Sequence, residues 1–291
     1  MPRLGKFIFS FVLFVIVCYG GLVWFVNSEV EKGFNEAVAG VDGLAVTYND
    51  LWVSLGDQTV TLTDAKAILP GGQRVSADEL VVFAYDQINP VPHFIKAQAK
   101  GLKVTPSEVV GPWALSTALG TDSLNGDMLV DYKFDSTTKI LNVHVFSFED
   151  QVLGNLSLSG AITDLDLNGV GVEKLVGLRI KAAELTFTDK SLMGALMAQT
   201  AKVMNMSEEA ARDQVCAELT SMAEFAGKDE NRIAENALRG MKRFVAKPGT
   251  ITLTARPAEP VPYLYFFMGR DVYDNLRLIN LSVQTDSGDD I

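Results

Sequence analysis

The stretch ILNVHVFSFEDQVLGNLSLSGAITDLDL, residues 140–167, decides the fold. Leu141, Val143 and Val145 interleave with Asn142, His144 and Phe146, while Leu156-Ser157-Leu158-Ser159 and Asp164-Leu165-Asp166-Leu167 alternate more cleanly. Successive side chains on a strand point to opposite faces, so this period gives a ribbon with one apolar face. Runs at 128–134, 140–148 and 152–167 follow one another with short polar links. Such spacing reads as an antiparallel meander that buries one side only.

The pattern extends in both directions. Leu51-Trp52-Val53-Ser54-Leu55 and Thr59-Val60-Thr61-Leu62-Thr63 are strands, parted by the turn signal Gly56-Asp57. Pro70-Gly71-Gly72 marks the next turn, and 75–85 and 93–104 are two further strands with Pro90 and Pro92 between them. A short helix is expected over 106–120, around Trp113 and Leu115, and another strand over 178–188. The period then changes. Residues 190–246 read as three helices, because Leu192, Met193, Leu196, Met197 and Thr200 fall on one helical stripe. Val215, Leu219 and Met222 form the second stripe, after Ser207 as N-cap with Glu208 and Glu209 in the first turn. Ile233, Ala237, Met241 and Phe244 form the third, after Asp229 as N-cap; Gly227 separates the second and third helices, and Pro248-Gly249 ends the third. Strands are expected again at 250–255 and 276–283, around the aromatic stretch Tyr263 to Met268.

Ahead of all this lies a run without a single charge, from Phe7 to Val26. At 1.5 Å rise per residue, about 20 apolar residues match the ~30 Å hydrocarbon core of a bilayer. Arg3 and Lys6 precede it, and Glu29 and Glu31 follow with Lys32. Cationic flanks stay in the cytoplasm, which places the rest of the chain outside. A cleaved leader has a core of only ~7–15 residues before a small-residue site. The expectation is therefore a retained single-pass anchor in a bacterial inner membrane, with a cytoplasmic stub and anchor at 1–27 and a periplasmic domain at 28–291.

The 291 residues carry a net charge of -11 and are 48% hydrophobic, enough for one good-sized core or two small ones. An acidic domain is a poor partner for phosphate backbones, so nucleic acid is excluded. Of the two cysteines, Cys18 sits in the apolar run and Cys216 in a helix, so no disulfide is expected. The sequons at Asn155, Asn205 and Asn280 carry meaning only in a eukaryotic secretory pathway.

From Gly43 to Val104 the chain shows Tyr48-x-x-Leu51-x-Val53, then Val60-x-Leu62-x-Asp64, a Pro-Gly-Gly turn, and Gly101-Leu102-x-Val104. This segment resembles the opening of AsmA-like envelope proteins, and also uncharacterised single-pass proteobacterial envelope proteins with the same start. The resemblance implies an anchored sheet curled around an apolar groove and a role in lipid handling. The chain departs from that group in its short length and in the helices at 190–246, and the matching segment carries no functional residue of the group.

Several local patterns have the spacing of sites. Asp164-x-Asp166-x-Asn168-Gly169 matches the front of a calcium loop, but the twelfth position is Leu175, with Glu173 two places early, and an amphipathic strand with a turn explains it better. Gly169-x-Gly171 lacks the third glycine of a dinucleotide loop, since Lys174 stands there. His93 and His144 are the only histidines, and neither has a ligand-spaced neighbour. Arg239, Lys242, Arg243 and Lys247 crowd the end of the third helix, where cations either face anionic headgroups or offset the helix dipole. Met193, Met197, Met204 and Met206 either line an adaptable apolar site or pack the core.

The expected fold is thus α+β: one transmembrane helix, then a curved antiparallel β-sheet with a three-helix block at about 190–246. No catalytic, cofactor or metal residue is assigned, and no enzyme activity. The expected function is a membrane-anchored binding module holding lipid or acyl chains in an apolar groove. The alternative is a non-enzymatic scaffold of a cell-envelope complex, partnered by other envelope proteins.

Overall fold

The computed structural model describes residues 2–86, 88–89, 91–105, 123–167, 177–268 and 271–286. A long helix, α1 (Pro2–Ala39), leads into β1 (Ala45–Thr47), β2 (Asp50–Ser54), β3 (Thr59–Ile68), β4 (Arg74–Tyr85) and β5 (Phe94–Thr105). β6 (Leu124–Asp135), β7 (Ile140–Asp150), β8 (Gly154–Thr163) and β9 (Arg179–Asp189) continue the meander. Three helices follow: α2 (Leu192–Met204), α3 (Glu208–Lys228) and α4 (Arg232–Ala246). The chain then returns through β10 (Thr250–Ala255) and β11 (Val261–Pro262), a 3-10 turn (Tyr263–Phe267), α5 (Val272–Leu278) and β12 (Leu281–Asp286).

The twelve strands among the described residues join one sheet in the order β1-β3-β4-β5-β6-β7-β8-β9-β10-β12, with β2 also on β3 and β11 also on β9. Every pairing is antiparallel. The meander needs only short links because each strand pairs with its predecessor. The register slips at Val82/Ala84, Ala99/Leu102, Asp131/Tyr132, Val143/Phe146 and Ala161/Ile162. An extra residue at each slip bends its strand and strengthens the twist. At one of them Gly101 sits at φ +59, against the Asp78 side chain, and its N–H donates to the Asp127 carboxylate at 2.9 Å.

The helical block closes on one end of the sheet. The Leu153 carbonyl in the β7–β8 turn accepts the first N–H groups of the incoming helix, from Lys190, Ser191 and Leu192 at 3.1–3.3 Å. Asp189 accepts from Met193 N at 2.8 Å, which completes the start of α2. Ser207 caps α3 as its position implies, accepting from Ala210 N at 3.2 Å. Fully buried Ala223, Ala226, Ala234 and Ala237 let α3 and α4 approach closely. Gly240 seats α4 against Val283 of β12, where a Cβ would lie 2.7 Å from that valine's Cγ1.

The structure corrects the expected fold class. Among the described residues, five α-helices accompany one twelve-stranded antiparallel sheet: the three expected at 190–246 are α2, α3 and α4, while α1 stands where a single transmembrane helix was expected and α5 is additional. Among the described residues, no helix is long and apolar enough to cross a membrane. The single-pass anchor and the inner-membrane, periplasmic placement that rested on it are therefore overturned. α1 does not stop where its apolar run ends. Its Val26, Val30 and Phe34 pack on Leu51, Val53 and Leu62, and Asn27 accepts from Val53 N at 2.6 Å. The end of the run is a packing element of the sheet, and α1 passes unbroken through residue 27.

Three local expectations also change. The N-cap of α4 is Asn231, accepting from Ala234 N at 3.1 Å, whereas Asp229 ends α3. Gly227 lies inside α3, where its missing Cβ admits the Glu235 carboxylate. The strand expected at 276–283 divides at Asn280 (φ 48) into α5 and β12, because Asp271 caps a helix by accepting from Asp274 N at 2.7 Å. The helix expected over 106–120 lies outside the described residues.

Candidate functional site: an apolar trough across the sheet

Cross-strand register turns scattered alternation into two continuous rows. In the first, Leu51 faces Leu62, which faces Leu80, and the line continues through Ala99, Met128, Phe148, Leu156 and Phe187 to Ile251. The second runs beside it, from Val53 and Val60 through Val82, Ala97, Val130, Phe146, Leu158 and Leu185 to Leu253 and Val283. Directly opposed residues share a face, so one side of the sheet is apolar from β2 to the β10–β12 end.

Helices cover the two ends of this face. α1 covers Leu51, Val53 and Leu62, the last of which is 1% exposed. At the other end Met193, Met197 and Phe244 close over Ile251, Phe187 and Leu253, with the Phe187 and Phe244 rings edge to face at 6.2 Å. Between them the described helices leave the rows uncovered: Leu80, Val82, Ala97, Met128, Val130, Phe146 and Leu158 are all half-buried.

A cleft of about 500 Å³ opens where the trough meets the helical block. Leu124, Phe148, Leu156, Leu185 and Leu253 form its floor, and Leu192, Met241 and Phe244 overhang it. This volume falls in the ~300–1,000 Å³ range of small-molecule pockets. The one charged residue among its described lining, Asp150, is 5% exposed and spends its carboxylate on backbone N–H groups of Asn125, Val152 and Leu153 at 2.7–3.1 Å. Asp150 therefore fixes the turn that starts α2 and offers the cleft little polarity.

The far rim of the sheet holds a second buried acid. Asp86 accepts from Ile88 N, His93 N and the Asn89 side chain at 2.6–3.0 Å, which holds its carboxyl down at about 2. Beside it Tyr132 donates to the Pro92 carbonyl at 3.0 Å, and burial pushes its phenol up. These contacts hold Ile88, Asn89, Pro92 and His93 in place.

The residues singled out in the sequence fall as follows. Asp164, at φ 62, pairs with Arg179 at 3.2 Å; of the rest of the calcium-like pattern Asp166 is described, whereas Asn168, Gly169, Glu173 and Leu175 lie outside the described residues, as do Gly171 and Lys174. His93 stacks edge to face on Phe134 at 5.1 Å, whereas His144 is the exposed extra residue of the β7 bulge. The structure does not gather the basic cluster of α4 into one site. Arg239 joins Arg232 in gripping Glu235, at 2.9 and 2.8 Å, which lowers that carboxyl's pKa, and Arg243 reaches Thr285. Met193 and Met197 are core, while Met204 is 44% exposed. Tyr263–Phe267 is the 3-10 turn, and Met268 after it is exposed. Sequence reading missed the two rows, because their members are neighbours only through register; the alternation that marked each strand was the available signal.

A family model described only as an uncharacterized protein matches residues 146–286. That segment runs from within β7 to β12 and contains α2, α3, α4 and most of the cleft lining. No curated protein matches the chain.

Proposed function

We propose that this protein is a binding module that holds a hydrocarbon chain, such as the acyl chain of a lipid, along the apolar trough. The observation that carries the reading is the pair of unbroken apolar rows that outrun their helical cover. A soluble β-sheet core is normally sealed, because exposed apolar area costs about 25 cal/mol per Å². A long strip left half-buried is the form that contiguous apolar surface takes when it has an occupant. The cleft under Met241 and Phe244 supplies a deep end for the chain, and the one charged residue among its described lining, Asp150, has its carboxylate engaged by backbone N–H groups. The likeness of residues 43–104 to AsmA-like proteins points the same way. Binding, not catalysis, is the activity proposed.

Native mass spectrometry of the full chain, with organic extraction of what co-purifies, tests this. Fatty acid or phospholipid at a fixed stoichiometry supports the reading. A clean apo mass across independent preparations, with no uptake of added oleate, overturns it.

A second reading, an interaction subunit, draws on α1, where Ile16, Val17, Leu22, Trp24 and Phe25 are 53–72% exposed. Loss of a stoichiometric partner on changing Trp24 and Phe25 to Ser would favour it.

A further inference from the structure

The opposite face of the same sheet carries a pocket of different chemistry. Val75 and Val104 pack into the apolar cluster with Met128 and Phe148, so their neighbours Ser76 and Lys103 face away from the trough. On that outer face, Thr47 stands opposite Lys66, Lys66 opposite Ser76, and Ser76 opposite Lys103. The adjoining row sets Ala45 opposite Ile68, Ile68 opposite Arg74, and Arg74 opposite Thr105. Together these positions line a cavity of about 420 Å³.

Three cations, Lys66, Arg74 and Lys103, thus share one pocket with three hydroxyl-bearing residues, and among the described residues no carboxylate lines it. Strands lie about 4.8 Å apart, which sets Lys66 and Lys103 about 10 Å from each other across Ser76, with Arg74 two residues along the middle strand. Like charges at this spacing repel unless an anion sits between them. Elsewhere on the sheet four cations have carboxylate partners: Lys96 pairs with Asp131, Lys100 with Glu79, Arg179 with Asp164 and Arg256 with Glu184. Among the described residues, none of the three pocket cations has such a partner. Asp64 and Asp78 lie one row further along β3 and β4, outside the pocket, and mark its limit on that side.

We infer that this pocket binds a phosphate group. A protein of net charge -11 gains nothing for solubility from three clustered cations. An oxyanion over Ser76 takes charge-assisted hydrogen bonds from two ammonium groups and a guanidinium, with hydroxyl donors from Thr47, Ser76 and Thr105. Beside this polar centre, Ala45 and the half-exposed Ile68 offer apolar surface to whatever carries the phosphate. The site is independent of the trough, which lies on the other face.

Isothermal titration of the full chain with inorganic phosphate, and separately with dihexanoyl phosphatidic acid below its micellar concentration, tests the inference. Both should bind at low salt and weaken in 0.5 M NaCl, since exposed charge pairs are screened. The Lys66→Ala/Lys103→Ala double variant should lose about tenfold per cation removed, as charge-assisted bonds of this kind carry. A Lys202→Ala/Lys242→Ala control, outside the pocket, should bind as the parent does. Equal affinity for the two probes identifies the phosphate alone as the ligand; tighter phosphatidic acid identifies a phosphorylated amphiphile using Ile68. Absence of binding by either probe, or binding that the pocket variant retains in full, overturns the proposal, with circular dichroism showing that the variant is folded.

Discussion

Replacing Leu62 and Leu185 separately by Ala should give very different losses of stability, although each change removes the same three carbons. Leu62 lies in the first row under α1 and is 1% exposed. Its truncation gives up about 2.4 kcal/mol of transfer energy, at ~0.8 kcal/mol per buried carbon. It also leaves a closed void, and together these bring Leu→Ala changes to ~3–5 kcal/mol. Leu185 lies in the second row, half-buried, and lines the open cleft. Its truncation enlarges a space that already exists, so no new void is enclosed. Only part of the transfer energy is lost, about 1–1.5 kcal/mol for a side chain that keeps some exposure. Urea unfolding of the ligand-free variants, compared at unchanged slope, reads the difference directly. The expected gap is about 2 kcal/mol. Equal losses would mean that the cleft is a filled core, and the trough reading would fail.

Asp86 has its carboxyl held at about 2, below its ordinary 3.8, by donors from Asn89, His93 and Ile88. A depressed folded-state value stabilises above pH 3.8 and is lost as pH falls toward 2. Asp86→Asn should therefore melt earlier than the parent at pH 6, and the difference should close in melts taken near pH 2. Gly240→Val should push α4 off β12, where even a Cβ meets Val283, and cost at least about 1–3 kcal/mol as overpacking does; an unchanged denaturation midpoint would contradict the seating described for α4. Ser207→Ala should cost about 1 kcal/mol through the lost cap on α3, measurable in the same urea series.

Much of this architecture was legible in the chain, and the failures have physical causes. Period-two alternation marked β2 through β10 because each of those strands contributes apolar residues to the same face of the sheet. The helices after β9 declared themselves by a change of period, and Ser207 by its place before two glutamates. The run from Phe7 to Val26 was legible as helix but not in its role. Composition there matches a bilayer, while Val26 and Asn27 belong to contacts made only once β2 is in place. At 276–283, apolar residues in a short span fit strand or helix equally, and the Asp271 cap decided for α5. A three-residue cation set is hardest of all to see. Lys66, Arg74 and Lys103 are scattered through three strands, and only register assembles them. The trough is the same case on a larger scale, since each row member looks like an ordinary inward residue of its own strand.

The most direct test of the central claim is where a bound chain sits. A fatty acid bearing a photoreactive diazirine near its methyl end, irradiated with the full protein and mapped by peptide mass spectrometry, gives that position. The account predicts crosslinks confined to the trough and cleft, at Phe146, Phe148, Leu156, Leu158, Leu185, Met241 and Phe244, suppressed by excess oleate. Crosslinks spread along α1 and the outer face, insensitive to competitor, would contradict it.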